Sequence, residues 1–175
     1  MECFMQLTDN NCKFYGLEPV SGNYKVLLQT IKKYPNVCAK VMRCAVGKEI
    51  GEMEITSALE ITELADVFGT YENSPKAQKE TVSVETLDHL FEAESVDYIK
   101  MDIEGEEVNA LLGSQDLIKK NQPAMMLSAY HMINHMWEIP LLVHKFDPAY
   151  RIYCGHQPAA CFEPEFYCIR RQRRK

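Results

Sequence analysis

Acidic and imidazole side chains stand directly after several apolar runs of this 175-residue chain. Such runs form buried strands, and in an open α/β sheet ligands bind outside the carboxyl ends of the strands. The residues at these positions are Glu18, Asp102 with Glu104, His131 and His156. Carboxylates and imidazoles transfer protons and orient hydroxyl groups, so these residues are the candidate site.

Glu18 closes the apolar run that begins at Lys13. A carboxylate in this place can accept hydrogen bonds from two ribose hydroxyls. The alternative is an acid on a surface loop. Asn23 is a second candidate for the same contact, or an ordinary residue of the first turn of the next helix.

A second acidic group lies at Asp102, Glu104, Glu106 and Glu107. Glu106 and Glu107 suit the first turn of a helix, where the helix dipole favours negative charge. Asp102 differs because it ends an apolar strand, where a carboxylate is costly unless it is paired or used. It could hold a metal, orient a substrate hydroxyl or act as a base.

His131 follows the apolar run PAMMLSAY, and His156 follows the next strand. Together with His135 they bring three imidazoles towards the strand end that also carries Asp102. Imidazoles and carboxylates can assemble a metal site. The residues are spread over about fifty positions without the tight spacing of known metal motifs, so we assign no metal ligand from the sequence.

Several classes of protein are disfavoured by what the sequence lacks. It contains no G-x-S-x-G, P-loop, H-E-x-x-H or G-x-G-x-x-G motif, which argues against serine hydrolases and P-loop NTPases. The seven cysteines include no C-x-x-C pair, so a reducing, cytoplasmic compartment is expected. A net charge of −6 argues against a nucleic-acid partner. No apolar run reaches the ~18 residues of a membrane span.

Strands and helices alternate along the chain, which indicates βαβ units and a mostly parallel sheet. The predicted strands are 13–20, 39–46, 51–56, 82–84, 96–103, 123–130, 150–153 and 166–170. The predicted helices are 21–34, with Ser21 as its cap, then 87–91, 106–112, 114–120 and 137–146. One of the two closing strands is expected to run antiparallel. We predict a single domain over residues 1–175.

The segment VETLDHLFEAESVDYIKMDIEGEEVNALLGS resembles the core signature of FkbM-type methyltransferases. That signature couples a T-L-D segment to a strand that ends in K-x-D-x-E-G and to an acid-rich helix start. Further segments agree in order: YGLEPVSGNYKVL, RCAVG, AYHMINHMWEIP and YRIYCGH. The resemblance covers nearly the whole chain from about Lys13.

The resemblance implies a Rossmann-like, class I methyltransferase fold, with helices on both faces of the sheet, that binds S-adenosylmethionine and methylates a hydroxyl oxygen. It implies that Glu18 holds the cofactor ribose, and that Ala45 and Val46 lie near the adenine. Asp102 and Glu104 would face the methyl-transfer site. The acceptor side would be lined by His131 and His156.

Two features depart from the family pattern. The family places a glycine-rich loop after a first strand, whereas MECFMQLTDN contains no glycine. The sheet is therefore expected to lack that strand and to expose edges at the strands before Glu18 and Asp102. We expect such a chain to aggregate, to form a homodimer through those edges, or to fold only marginally. The closing motif also carries His135 where the family usually has an acid.

The sequence therefore predicts an S-adenosylmethionine-dependent O-methyltransferase that acts on a small hydroxylated molecule or sugar, with Asp102 and His131 as its catalytic residues. Low activity of this chain on its own is expected from the missing loop. Two alternatives stay open: a non-catalytic Rossmann-like binding domain, and a metal-dependent hydrolase that uses Asp102 and the histidines.

Overall fold

The computed structural model of the chain describes residues 11–58, 77–156 and 163–170. These residues form two compact units. The first contains the described residues up to Ala45 and those of Gly51–Val84, and the second contains Val46–Ile50 and the described residues from Glu85 onward. The assignment of residues 1–175 to one domain stays a prediction.

The first unit begins with two parallel strands that are joined by a helix. Strands β1 (Lys13–Leu17) and β2 (Cys38–Met42) pair along their whole length, and helix α1 (Ser21–Ile31) connects them. This is the predicted βαβ arrangement. The predicted cap is wrong: Val20 occupies the N-cap position, and the backbone N–H of Ser21 donates instead to Oε1 of Glu80 at 3.1 Å.

A three-stranded sheet in the order β3-β5-β4 follows in the chain. Its strands are β3 (Ala45–Val46), β4 (Gly51–Ala58) and β5 (Ala77–Glu85). The predicted continuous strand 39–46 is wrong, because β2 pairs with β1 whereas β3 belongs to the sheet of β5. Strand β5 is longer than predicted, since it pairs antiparallel with all eight residues of β4.

The second unit contains a four-stranded sheet in the order β6-β7-β9-β8. The strands are β6 (Tyr98–Met101), β7 (Ala124–Ser128), β8 (Tyr150–His156) and β9 (Pro164–Arg170). Strands β6 and β7 are parallel, and β9 is antiparallel to both β7 and β8. The predicted antiparallel closing strand is therefore confirmed.

Four helices belong to the second unit: α2 (Leu87–Leu90), α3 (Glu107–Leu112), α4 (Gln115–Asn121) and α5 (His135–Phe146). Its core consists mainly of apolar side chains that are almost inaccessible to solvent, among them Leu111, Ile118, Met125, Leu127, Ile139 and Val143. The described helices include none that is long and apolar enough to cross a membrane.

Strands β1 and β6 each have one strand neighbour among the described residues, β2 and β7 respectively. Residues 1–10, where the glycine-rich loop would be sought, and the polar stretch 59–76 lie outside the described residues.

Candidate active site

Asp102 lies one residue beyond β6, as predicted, and 40% of its side chain is exposed. Its Oδ1 accepts a hydrogen bond from the hydroxyl of Tyr130 at 2.9 Å, and its Oδ2 lies 3.2 Å from Nζ of Lys100. Partial burial raises the pKa of Asp102, but the bonds from Tyr130 and Lys100 outweigh burial and bring the pKa below its ordinary value. Asp102 is therefore a fixed anion at neutral pH.

The next acid along the chain, Glu104, lies in the turn that follows β6. Glu104 and Gly105 both adopt positive φ angles, 58° and 101°. Residues other than glycine rarely adopt this conformation, so the turn commits Glu104 to an unusual backbone geometry. Its side chain is 91% exposed, and its Oε2 lies 3.4 Å from Nε2 of His131.

His131 lies in the segment between β7 and α5, with 10% of its side chain exposed. Its Nε2 is 3.7 Å from Oδ1 of Asp102, and its ring lies against that of Tyr130, with the two centroids 4.0 Å apart. Its Nδ1 is 3.0 Å from Oε1 of Glu107. The imidazole thus spans from a buried carboxylate to the exposed acids at the end of β6.

Glu107 is the first residue of α3, and its side chain is completely inaccessible to solvent. Its Oε1 accepts a hydrogen bond from the backbone N–H of Ile103 at 3.0 Å. Its Oε2 lies 3.2 Å from Nδ1 of His135, whose side chain is 3% exposed. A buried carboxylate is therefore enclosed between two imidazoles, which matches the rule that buried charges are paired.

The sequence analysis interpreted Glu107 only as a helix-start acid, and the structure shows that it also forms the centre of this cluster. The reason is that α3 turns the face that carries Glu107 towards the interior. The buried residues of this helix are Glu107, Ala110 and Leu111. A stripe at spacings of three and four that includes Glu107 was the available signal.

The other predicted site residues lie in the following places. Glu18 directly follows β1 and is half-buried, and its Oε1 accepts a hydrogen bond from the N–H of Val20 at 2.8 Å. Burial raises the pKa of Glu18 and outweighs the lowering bonds from Val20 and Asn23, while the charge of Glu80 adds to the increase. Asn23 is exposed in the first turn of α1.

Two predicted cofactor residues and one predicted acceptor residue are placed by their strands alone. Ala45, which is buried, and Val46, which is half-buried, form β3. His156 ends β8 opposite Pro164, and the position of its side chain lies outside the described part of the structure. The predicted roles of these three residues stay predictions.

The cluster also has the spacing of a cation site. Asp102, Glu107 and His131 offer ligand atoms that all lie within 4.8 Å of one another. Several of their atoms are already engaged, because the Asp102 carboxylate bonds to Tyr130 and Lys100, and Oε1 of Glu107 bonds to Ile103 and His131. The arrangement therefore suits proton handling at least as well as cation binding.

Comparison with known proteins relates the chain to one family. The model of the methyltransferase FkbM domain matches residues 2–152. The crystal structure of a methyltransferase FkbM from Methylobacillus flagellatus KT superimposes with a TM-score of 0.73 and 20% sequence identity, covering 96% of this chain and 40% of that chain. This likeness confirms the predicted mixed α/β methyltransferase fold. A search of curated proteins found no match.

Proposed function

Because the chain belongs to the FkbM methyltransferase family, we propose that it is an S-adenosylmethionine-dependent O-methyltransferase. The proposed acceptor is a hydroxyl group of a small molecule or sugar. The observation that carries the proposal is the approach of Nε2 of His131 to Oδ1 of Asp102, at 3.7 Å, directly beyond β6. Methylation of a hydroxyl needs a group that removes the hydroxyl proton, and this pair can supply one.

The two members of the pair have different proposed roles. Asp102 is held as an anion by Tyr130 and Lys100, which makes it a weak base and a good hydrogen-bond acceptor. His131 has an Nε2 that faces this anion, and an imidazole nitrogen in this place can act as a general base. We therefore assign proton removal to His131 and orientation of the acceptor hydroxyl to Asp102, with Glu104 and His156 on the acceptor side.

The cofactor would supply an electrophilic methyl group on a sulfonium. Glu18 is proposed to accept hydrogen bonds from its ribose hydroxyls, with Asn23, Ala45 and Val46 as further contacts. The donor set fits this role, because Glu18 is a half-buried carboxylate whose raised pKa reflects incomplete compensation of its charge. Two hydroxyl donors would provide such compensation.

In the proposed reaction the cofactor, held at Glu18, would supply its methyl group to the acceptor oxygen. The hydroxyl proton would pass to Nε2 of His131. The resulting imidazolium lies 3.0 Å from Glu107 at its Nδ1. It returns to its starting state when the proton leaves to water.

The test is transfer of a trideuteromethyl group from labelled S-adenosylmethionine to a panel of sugars and hydroxylated metabolites, followed by mass spectrometry. A product that carries the label on oxygen is expected. Label on nitrogen, carbon or sulfur would overturn the assignment of an oxygen acceptor. Binding of S-adenosylhomocysteine without transfer to any acceptor would favour the alternative, a non-catalytic binding domain.

We further propose that the chain works in a reducing, cytoplasmic compartment, without a nucleic-acid or membrane partner. The support is that Cys12, Cys38, Cys154 and Cys168, which lie in the described part of the chain, are free thiols. A homodimer formed through the edges of β1 or β6 stays a prediction. Sedimentation of the purified chain would decide between a monomer and this dimer.

A further inference from the structure

The complete burial of Glu107 is not explained by its position at the start of α3. The dipole of a helix favours an acid in its first turn, but it does not require that acid to be buried. Glu107 has no solvent-accessible surface, and carboxylates are almost never fully buried unless they are paired. The neighbouring acid Glu106 shares the helix start and is not fully buried, so the two acids have different roles.

The partners of Glu107 determine where the protons of the cluster lie. Its Oε1 accepts from the N–H of Ile103, so this oxygen is an acceptor. The nitrogen that faces the same oxygen at 3.0 Å is Nδ1 of His131, and an oxygen that accepts needs a donor opposite it. Nδ1 of His131 therefore carries a hydrogen, and in a neutral imidazole Nε2 is then unprotonated.

The unprotonated Nε2 faces acceptors on its open side. Oε2 of Glu104 and Oδ1 of Asp102 lie 3.4 and 3.7 Å from it, and ionised carboxylates have no hydrogen to donate. Three acceptor atoms therefore converge, and the donor that the described residues supply to them is the hydroxyl of Tyr130, which bonds to Oδ1 of Asp102 and leaves Nε2 of His131 without one. A hydroxyl group that enters this space would supply the missing hydrogen.

We propose that Glu107 is the positioning residue of His131, a role that rests on the proposed function for its catalytic consequence. Glu107 fixes His131 with its hydrogen on Nδ1 and its free electron pair on Nε2, directed to the acceptor hydroxyl. Nδ1 of His135 lies 3.2 Å from the second oxygen of Glu107 without a hydrogen bond between the two atoms, so His131 and Ile103 are the groups that hold the carboxylate. When Nε2 takes up a proton, the buried anion of Glu107 stabilises the imidazolium at close range.

The experiment is a long-range proton–nitrogen correlation spectrum of the whole ¹⁵N-labelled chain, with the signals of His131 assigned through His131→Gln. The wild-type spectrum is expected to show hydrogen on Nδ1 and a bare Nε2. In Glu107→Gln the side chain can both donate and accept, so His131 is expected to populate both tautomers. The matched control Glu106→Gln should leave the spectrum unchanged.

A wild-type His131 that carries its hydrogen on Nε2 would overturn the proposal, and so would a Glu107→Gln spectrum identical to the wild type. The wild-type spectrum decides the tautomer by itself if the variant fails to fold. In turnover, Glu107→Gln should lower kcat by roughly 10²-fold, within the range of general base catalysis, and leave KM for S-adenosylmethionine unchanged. A chain that transfers no methyl group would refute the proposed function. The spectrum would still test whether Glu107 positions His131.

Discussion

Replacement of Glu107 by alanine should strongly destabilise the second unit. The carboxylate accepts from the N–H of Ile103 at 3.0 Å and lies 3.0 Å from Nδ1 of His131, whereas Nδ1 of His135, 3.2 Å from Oε2, makes no hydrogen bond to it. A buried donor without a partner costs about 1–3 kcal/mol. The two donors that would lose their partner give an upper limit of roughly 6 kcal/mol.

The expected loss lies below that limit, because Ile103 and His131 keep some access to water. Removal of one partner from a buried ion pair costs about 3–5 kcal/mol, and we expect Glu107→Ala to fall in this range. A domain is stable by only about 5–15 kcal/mol, so the variant should be close to unfolding at room temperature. Glu107→Gln retains a hydrogen-bonding amide and should lose less.

Urea unfolding followed by circular dichroism measures these differences. The control is Glu106→Ala, one residue earlier, where the lost partner is the exposed amide of Asn109. Its free energy of unfolding should change by less than about 1 kcal/mol, as is usual for surface sites. A loss below about 1 kcal/mol in Glu107→Ala, with an unchanged m value, would contradict a buried carboxylate that bonds to Ile103 and His131.

Three further predictions concern other parts of the chain. Because the ionised form of Glu18 accepts the ribose hydroxyls and its pKa is raised above 4.5, affinity for S-adenosylhomocysteine should fall as the pH drops through that raised pKa; calorimetric affinity that survives Glu18→Gln unchanged would count against this role. A Cβ on Gly113 would clash with the carbonyl oxygen of Gly47, so Gly113→Ala should lower the free energy of unfolding by about 1–3 kcal/mol. Gly51→Ala, which meets nothing within 4 Å, should not show this loss. Loading with zinc, manganese or magnesium should leave no stoichiometric ion after dialysis, because Tyr130 and Ile103 already donate to oxygens of Asp102 and Glu107; one retained ion per chain that Asp102→Asn abolishes would refute this.

The position of Asp102 and His131 could be predicted from the sequence because each follows a continuous apolar run. The runs become β6 and β7, which are parallel neighbours, so their carboxyl ends lie at the same edge of the sheet. Two side chains that are separated by 28 residues in the chain thereby come within 3.7 Å. The length and apolar character of these two runs were sufficient to predict the strands, because a buried strand is recognisable from its own sequence.

Other features could not be predicted, because the local sequence gives no signal of the tertiary contacts that cause them. Strand β5 contains the polar segment QKETVSVE, and it is extended because β4 pairs with it, which is a non-local cause. The burial of Glu107 depends on which face of α3 is turned towards the interior. An acid on the buried face of a short helix is recognisable only once its partners, His131 and His135, are known to lie opposite it.

The most direct test of the central claim is the turnover number of His131→Ala with saturating S-adenosylmethionine and the best acceptor of the hydroxylated panel. Loss of the proposed base should lower kcat by about 10²–10⁴-fold, with KM for S-adenosylmethionine unchanged. The control His89→Ala removes an exposed imidazole that bonds only to Glu85 among the described side chains, and it should retain wild-type turnover. If His131→Ala kept more than about a third of the wild-type kcat, proton removal by His131 would be contradicted.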